Sequence, residues 1–398
     1  MMFYKAILLA VLGVLTLKPS YIYSQGFLRG ENLNQTSLSP VNFSPVDLVK
    51  TDSGYTAAYQ YHKGAPGLHK PLLVHYDTVG RYQSLQQPSF PQINNFNLSS
   101  FALAGKNAVY TYSATQRPQV FSIALDSLGN TRWQKQDTSA HWWLKSFAGS
   151  CLVGELSKPG LTLQRLQTQT GTPLWTNALS DSLNSSVGVG PSDRVLRSWL
   201  VQGRLLMTIG GYQGPPTAMV ALDTSNGDLL QAYPVDSADA AALINPGLAV
   251  KAYQSGRNLS FTESNLSGQI QRQGSVTLSN VPAGTLMTLR EILPSPNGLI
   301  AHLQVRDTTH PASYPIFIGL NASFNQIVWR HDLNLVPWRY LRVHTVKTDA
   351  AGRLYALLKP SNYGSEYGNP SFLLQLDSTG QFQNYSSVGF VSTPEVTA

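Results

Sequence analysis

Four apolar-cation pairs recur along this chain: Leu144-Lys145, Leu196-Arg197, Leu289-Arg290 and Leu341-Arg342, with Lys251 in a similar setting between them. A guanidinium fork or an ammonium is the natural partner of a carboxylate, sulfate or phosphate, so cations brought to one place would hold an anion. His141 and His344 stand near the first and last pairs, with Trp142, Trp143, Arg194 and Arg339 close by, and add titratable and aromatic character. Lys145, Arg197, Arg290, Arg342, His141 and His344 are therefore read as a candidate ligand-binding rim for an anionic or carbohydrate-like ligand. The competing reading is structural: the same cations pair with Glu155, Glu291 or Asp349 and carry no function.

Other chemistry is harder to find. His62, His69, His75, His141, His302, His310, His331 and His344 show no HxH or HExxH spacing, so no metal is expected. Cys151 is the only cysteine; it lies in the apolar stretch FAGSCLVGEL, where a buried, inert thiol is expected and no intrachain disulfide can form. No Gly-x-Ser-x-Gly elbow and no phosphate-binding Gly loop is present, and Glu155, Glu263 and Glu291 have no spacing that makes them a catalytic pair. Neither catalytic residues nor a cofactor are assigned.

The elements that must carry the cations follow from a repeated phrase: an apolar run, Leu-Asp or a variant, a short polar turn, then often Trp. It reads FSIALDSLGNTRWQKQ from Phe121, LTLQRLQTQTGTPLWTN from Leu161, AMVALDTSNGDLLQAY from Ala218, IFIGLNASFNQIVWRHD from Ile316 and FLLQLDSTGQFQNYS from Phe372. Alternating apolar residues around polar turn formers make each copy a β-hairpin. Marking every turn by its Gly, or by Asn where Gly is missing, gives Gly80, Gly129, Gly171, Gly227, Gly268, Asn325 and Gly380, at intervals of 41 to 57 residues. A second hairpin opens each unit, with turns at Asp52-Ser53-Gly54, Gly105-Lys106-Asn107, Asn297-Gly298 and Ala351-Gly352.

Seven units of two hairpins each predict an all-β chain folded as a single closed β-propeller of seven blades, four antiparallel strands to a blade. An eighth blade between Gly227 and Leu248, or at the ends, stays open as an alternative, and blade five is placed at about Leu248 to Leu278. The Leu-cation pairs fall at the beginnings of innermost strands, which converge on the central channel at one face. Either the polar segment 25–42 or the tail 388–398 could supply a strand that closes the ring.

With only 12% charged residues and formal charge +7, the chain has no basic run of the kind that grips nucleic acid. Residues 1–24 read as a secretory signal: Lys5, the apolar run Ala6 to Leu17, then a polar stretch with a cleavage point after Ser24. The run is short for a bilayer span, which favours a cleaved signal over the alternative of an uncleaved membrane anchor, and no membrane span is expected after cleavage. The division is thus 1–24 signal peptide, 25–42 N-terminal lead and 43–398 propeller, with an extracytoplasmic location, periplasmic or secreted.

Ala124, Asp126, Gly129 and Trp133 resemble the repeat of quinoprotein-type, or PQQ-like, β-propellers, as do Thr170, Gly171 and Trp175, then Ala221, Asp223 and Gly227, and Trp329 alone. The resemblance implies that the Trp residues pack between blades, that the chain acts outside the cytoplasm, and that it binds rather than catalyses. Some dehydrogenases of that family carry a vicinal cysteine pair, which one cysteine cannot supply, and its outer-membrane assembly factor is lipid-anchored through a cysteine lacking here. The expected function is that of an exported non-catalytic propeller binding a protein or a cell-envelope, glycan or other extracellular ligand at one face. A hydrolase or lyase acting on an extracellular polymer, and a quinone-dependent oxidoreductase, are the alternatives.

Overall fold

The computed structural model describes the chain from 41 to 388 apart from short stretches in connections, chief among them 64–68, 87–95, 115–119, 180–186, 188–193, 334–339 and 361–370. The signal, most of the lead and the tail lie outside the described residues. Every named element is a β-strand, and the strands form seven four-stranded antiparallel sheets. Blades one to seven span 41–86, 96–137, 142–178, 194–234, 240–277, 285–332 and 341–388. Each sheet is built from four consecutive strands in chain order. Residues 227 to 248 hold the outermost strand of blade four and the innermost strand of blade five, not an eighth sheet.

Contacts between neighbouring sheets concentrate on their first strands, which identifies these as the strands lining the axis. They are Val41–Thr51, Phe96–Ala104, Trp142–Phe147, Arg194–Val201, Ala240–Asn245, Thr285–Ser295 and Leu341–Thr348. Blade five therefore begins at Ala240, eight residues before the position read from sequence. Lys251 consequently lies on the second strand, Leu248–Ser255, where its Nζ donates to the Pro234 carbonyl at 3.2 Å.

The apolar core is distributed between blades, because the middle strands are covered on both faces. In Arg204–Gly210, the side chains of Leu205, Met207 and Ile209 pack with Leu152 and Leu163 of blade three, whereas Leu206 packs with Ala241, Leu243 and Ala249 of blade five. The neighbouring strand Pro216–Asp223 alternates in the same way, Val220 and Leu222 to one side, Met219 and Ala221 to the other. A strand whose two faces both meet protein must be apolar without interruption, which is what these segments show.

The outer hairpins explain the repeated phrase. Asp77, Asp126, Asp223, Asn265, Asn321 and Asp377 open the turn, and the Oδ1 of each accepts a backbone N–H two to four residues on, from Val79, Asn130, Ser225, Gln269, Asn325 and Thr379. The Trp residues lock one blade to the next. Trp133 lies on Gly171 and donates its indole N–H to the Thr168 carbonyl at 2.9 Å; Trp175 lies on Gly227 and donates to Thr224 at 3.1 Å. A Cβ at either glycine would stand 2.6–2.7 Å from the ring, so only glycine admits the contact.

In blade five Arg272 takes the place of Trp, bonding the Ala322 carbonyl and lying 5.4 Å from the Phe324 ring centroid. Phe324, at φ 56°, holds the left-handed turn position that the sequence reading gave to Asn325. Its ring, 1% exposed and 6.0 Å from that of Phe261, anchors the turn through packing.

The expectation of a closing strand from the lead or the tail falls almost wholly on segments outside the described residues. Blade seven meets blade one through Tyr55 and Tyr355, with ring centroids 3.9 Å apart, and through Ser386 Oγ, which donates to the Gly80 carbonyl at 2.6 Å. Lys347 adds an ion pair to Asp47 at 2.8 Å. Among the described residues, no helix is long and apolar enough to cross a membrane.

Candidate functional site

The innermost strands carry one-residue bulges. The register skips Val46, Ser99, Leu196, Ile244, Arg290 and His344 in blades one, two, four, five, six and seven, while the described part of the blade-three strand runs without a shift. A bulge reverses the inward-outward alternation beyond it, so residues aligned by sequence need not occupy the same place. Arg197 directly follows its bulge, Arg290 is the bulged residue of its own strand, and Arg342 precedes the bulge by two positions. The matching ring of cations read from the Leu-cation phrase is therefore not a set of equivalent positions. The residue of blade six equivalent to Arg197 is Glu291.

That exchange of sign creates the site. Arg197 of blade four reaches past blade five and grips Glu291 of blade six, Nε to Oε1 at 2.8 Å and Nη2 to Oε2 at 2.5 Å. Blade five leaves room for this because its innermost strand begins Ala240-Ala241-Ala242. Glu291 is 3% exposed in its side chain and Arg197 39%, so the pair stands with its carboxylate inside and its guanidinium toward the channel. Burial would push the Glu291 carboxyl up, but the Arg197 guanidinium outweighs it and the group is held below its ordinary range.

His302 lies directly across from Glu291 on the adjacent strand, Gly298–Asp307. Its side chain is 5% exposed, its Nδ1 is 4.0 Å from Glu291 Oε2, and neither ring nitrogen has a hydrogen-bond partner. A separation of 4.0 Å is too long for a hydrogen bond. Burial holds the imidazole below its ordinary value despite the carboxylate beside it, so it is neutral. A buried, unsatisfied imidazole is unusual and costs free energy.

Around this trio is a cavity of about 610 Å³ at the end of the ring where the innermost strands begin. Arg197, Arg290, Arg306 and Arg342 line it, with Glu291 and Asp239 as its described acidic groups. Asp239 is engaged, accepting the Gln254 N–H at 2.6 Å, and Gln304 is held by Ser313 and the Leu341 carbonyl. Arg290, Arg306 and Arg342 are exposed.

Of the six residues read from sequence, Arg197, Arg290 and Arg342 are thus brought together. His344 faces the seam instead, its Nε2 3.0 Å from the Val46 carbonyl. Lys145 lies on the innermost strand of blade three, with its side chain outside the described part, and His141 lies outside the described residues altogether. Of the proposed structural partners, Glu291 does pair with Arg197, whereas Asp349 pairs with Arg353 at 2.7 Å. Glu263 stands 3.8 Å from Arg272 and does not line the cavity, so it forms no catalytic pair with Glu291.

Arg306, Asp239 and His302 were not found from sequence. A signal for the cavity existed in Asn245-Pro246-Gly247, a turn flanked by apolar runs, which makes the alanine run before it a strand. Among the described residues, no cluster of three or more His, Cys, Asp or Glu side chains is arranged to hold a metal.

Fold and site together define a β-propeller repeat protein, with seven blades among the described residues and an arginine-lined cavity over blade five. No protein-family model matches the chain, and no curated protein matches it in sequence. Among solved structures it is similar to a post-proline cleaving enzyme from Rickettsia typhi, at 9% identity and TM-score 0.50, over 87% of this chain and 53% of that one. It is similar also to BamB from Moraxella catarrhalis, at 14% identity and TM-score 0.44, over 88% of this chain and 89% of that one. The β-propeller domain of Cps50 (Swd1) from Myceliophteria thermophila matches at 8% identity and TM-score 0.42, over 89% of this chain and 98% of the other. At these identities the likeness is one of fold.

Proposed function

We propose that this chain is an exported, non-catalytic propeller that binds an anionic protein, envelope or extracellular ligand through the face where its innermost strands begin. The observation that carries the reading is the convergence of four arginines, from blades four, six and seven, on one concave cavity of about 610 Å³. A cleft lined by one sign of charge concentrates field and recruits the opposite charge. Export rests on the signal-like residues 1–24.

The hydrolase or lyase alternative needs a carboxylate free to exchange a proton. Glu291 is bound by both arms of Arg197, and Asp239 by a backbone amide, so the arrangement favours binding. The test is a thermal-shift panel of carboxylated, sulfated and phosphorylated small molecules and acidic peptides, run against the native protein and Arg290→Glu/Arg342→Glu. Binding that is lost in the variant is the expected result. Unchanged binding of every anionic ligand in the variant would overturn the assignment of this face.

A further inference from the structure

His302 is the part of the cavity that anion binding alone leaves unexplained. It is buried with both nitrogens unpartnered, directly across the strand pair from a carboxylate engaged elsewhere. The Arg197-Glu291 pair is electrically neutral, and neutral His302 adds no charge. An anion that enters and takes the Arg197 fork leaves the Glu291 carboxylate, 3% exposed, without its counter-charge. A buried and uncompensated carboxylate is strongly unfavourable. One group stands within reach to compensate it: moving Glu291 Oε2 about 1 Å closes the 4.0 Å gap to His302 Nδ1 into a hydrogen bond, and a second proton on the imidazole supplies the counter-charge that the carboxylate has lost.

The remaining lining says what the anion is attached to. Leu196, Pro216, Ala240, Ala241, Ile292 and Val343 give the cavity an aliphatic wall, and no Phe, Tyr or Trp is among its described lining residues. Saccharide rings stack their C–H faces on aromatic side chains, so this wall suits an aliphatic body better than a sugar. A planar carboxylate matches the two-pronged grip that Arg197 already gives Glu291. The volume is that of a small-molecule site.

We propose that the cavity binds an aliphatic carboxylate whose head group displaces Glu291 from Arg197, and that Glu291 then closes onto His302 with uptake of one proton from solvent. This deepens the anion-binding reading of the same site and rests on it. The charge balances: a cation, two carboxylates and an imidazolium in the bound site replace a cation, one carboxylate and a neutral imidazole. The other charged groups at the cavity, Arg290, Arg306 and Arg342 with Asp239, and Asp47 with His344 across the channel, stay in place. The arginines oppose a further positive charge, which makes proton entry dependent on the anion's arrival.

The test is titration calorimetry at pH 7 in two buffers of different ionisation enthalpy, with N-acetyl-leucine and acetyl-Asp-Glu-Leu as probes and their C-terminal amides as controls. The expected result is binding of the acids, loss of about tenfold or more with the amides, uptake of between about half and one proton, and affinity rising by up to about tenfold per pH unit as pH falls from 8 to 7. Binding of the free acid alone identifies a small metabolite-like ligand, and tighter binding of the peptide identifies a chain terminus. Glu291→Gln should bind more tightly and without proton uptake, because Arg197 is then free, whereas a merely structural Glu291 would weaken binding. Zero uptake in the native protein, equal binding of the amides, or weaker binding by a folded Glu291→Gln would overturn the exchange. Binding of inorganic phosphate but of neither acid would overturn it while leaving anion recognition by the arginines intact.

Discussion

Trp329 is held between two glycines, and that arrangement sets the cost of adding a single methyl group. Its cross-strand partner in blade six is Gly319, where a Cβ would stand 2.1 Å from the indole Nε1 and 2.3 Å from Cε2. On the blade-seven side is Gly380, where a Cβ would stand 2.4 Å from Cδ2. The ring would have to retreat by more than about 1 Å to restore ordinary contact with a methyl group on the blade-six side, and blade seven blocks the retreat. Gly319→Ala should therefore sit at the upper end of overpacking costs, about 3 kcal/mol. Trp329→Ala removes a half-buried indole from the cluster between blades six and seven and should also cost about 3 kcal/mol. In the double variant the new methyl enters vacated space, so its added cost falls to about zero and the pair couples by about 3 kcal/mol. Gly380→Ala differs, because its φ of 77° is left-handed; about 1 kcal/mol of its cost should persist when the indole is absent. Guanidinium unfolding followed by far-ultraviolet circular dichroism of the three single and two double variants measures these quantities. Costs of Gly319→Ala and Trp329→Ala that add to within about 0.5 kcal/mol would refute the claim that the indole and the missing side chain occupy one space.

Arg197→Gln leaves the Glu291 carboxylate buried with half of its grip, and because the guanidinium is 39% exposed the loss should be modest, about 1–2 kcal/mol by urea midpoint. Burial holds His302 below its ordinary value, and the balance of burial and Arg197 does the same for Glu291, so the unfolded chain binds protons first and acidification destabilises the fold. The loss should begin as pH falls below about 6.5, where free histidine charges, and deepen below about 4.3. His75, His331 and His344 are likewise held low by burial, so His302→Phe should remove only a share of the upper part of this curve, and a native curve already flat from pH 7.5 to 5 would contradict the assignment. Cys151 is fully buried and its thiol is pushed up to about 12, so iodoacetamide at pH 8 should leave the native protein unlabelled and add one group per chain after denaturation.

Much of the architecture was legible because it is written locally. Asp or Asn at the head of a turn and glycine at its left-handed position act within five residues, and they recur often enough to count seven blades. The inter-blade role of the Trp residues was legible only through the resemblance to quinoprotein-type propellers, and Trp133 and Trp175 bear it out. Two readings failed for a tertiary reason. Asn325 was the reasonable residue for a left-handed turn, yet Phe324 takes it because its ring is held by Phe261 and Arg272 from the neighbouring blade. Alanine is a weak strand former, so Ala240–Asn245 was passed over, although small side chains are what the axis needs where the cavity opens.

By itself the sequence determined the class of fold and narrowed the blades to seven or eight, because hairpin chemistry and hydrophobic alternation depend on near neighbours. Only the tertiary structure decided the site. Bulges that leave no mark in composition moved Arg197, Arg290 and Arg342 out of equivalence and put Glu291 where an arginine was expected. The pairing of Arg197 with a residue 94 positions away then depends on ring closure, on the shortness of alanine in the intervening blade, and on a histidine that the strand register carries beneath them.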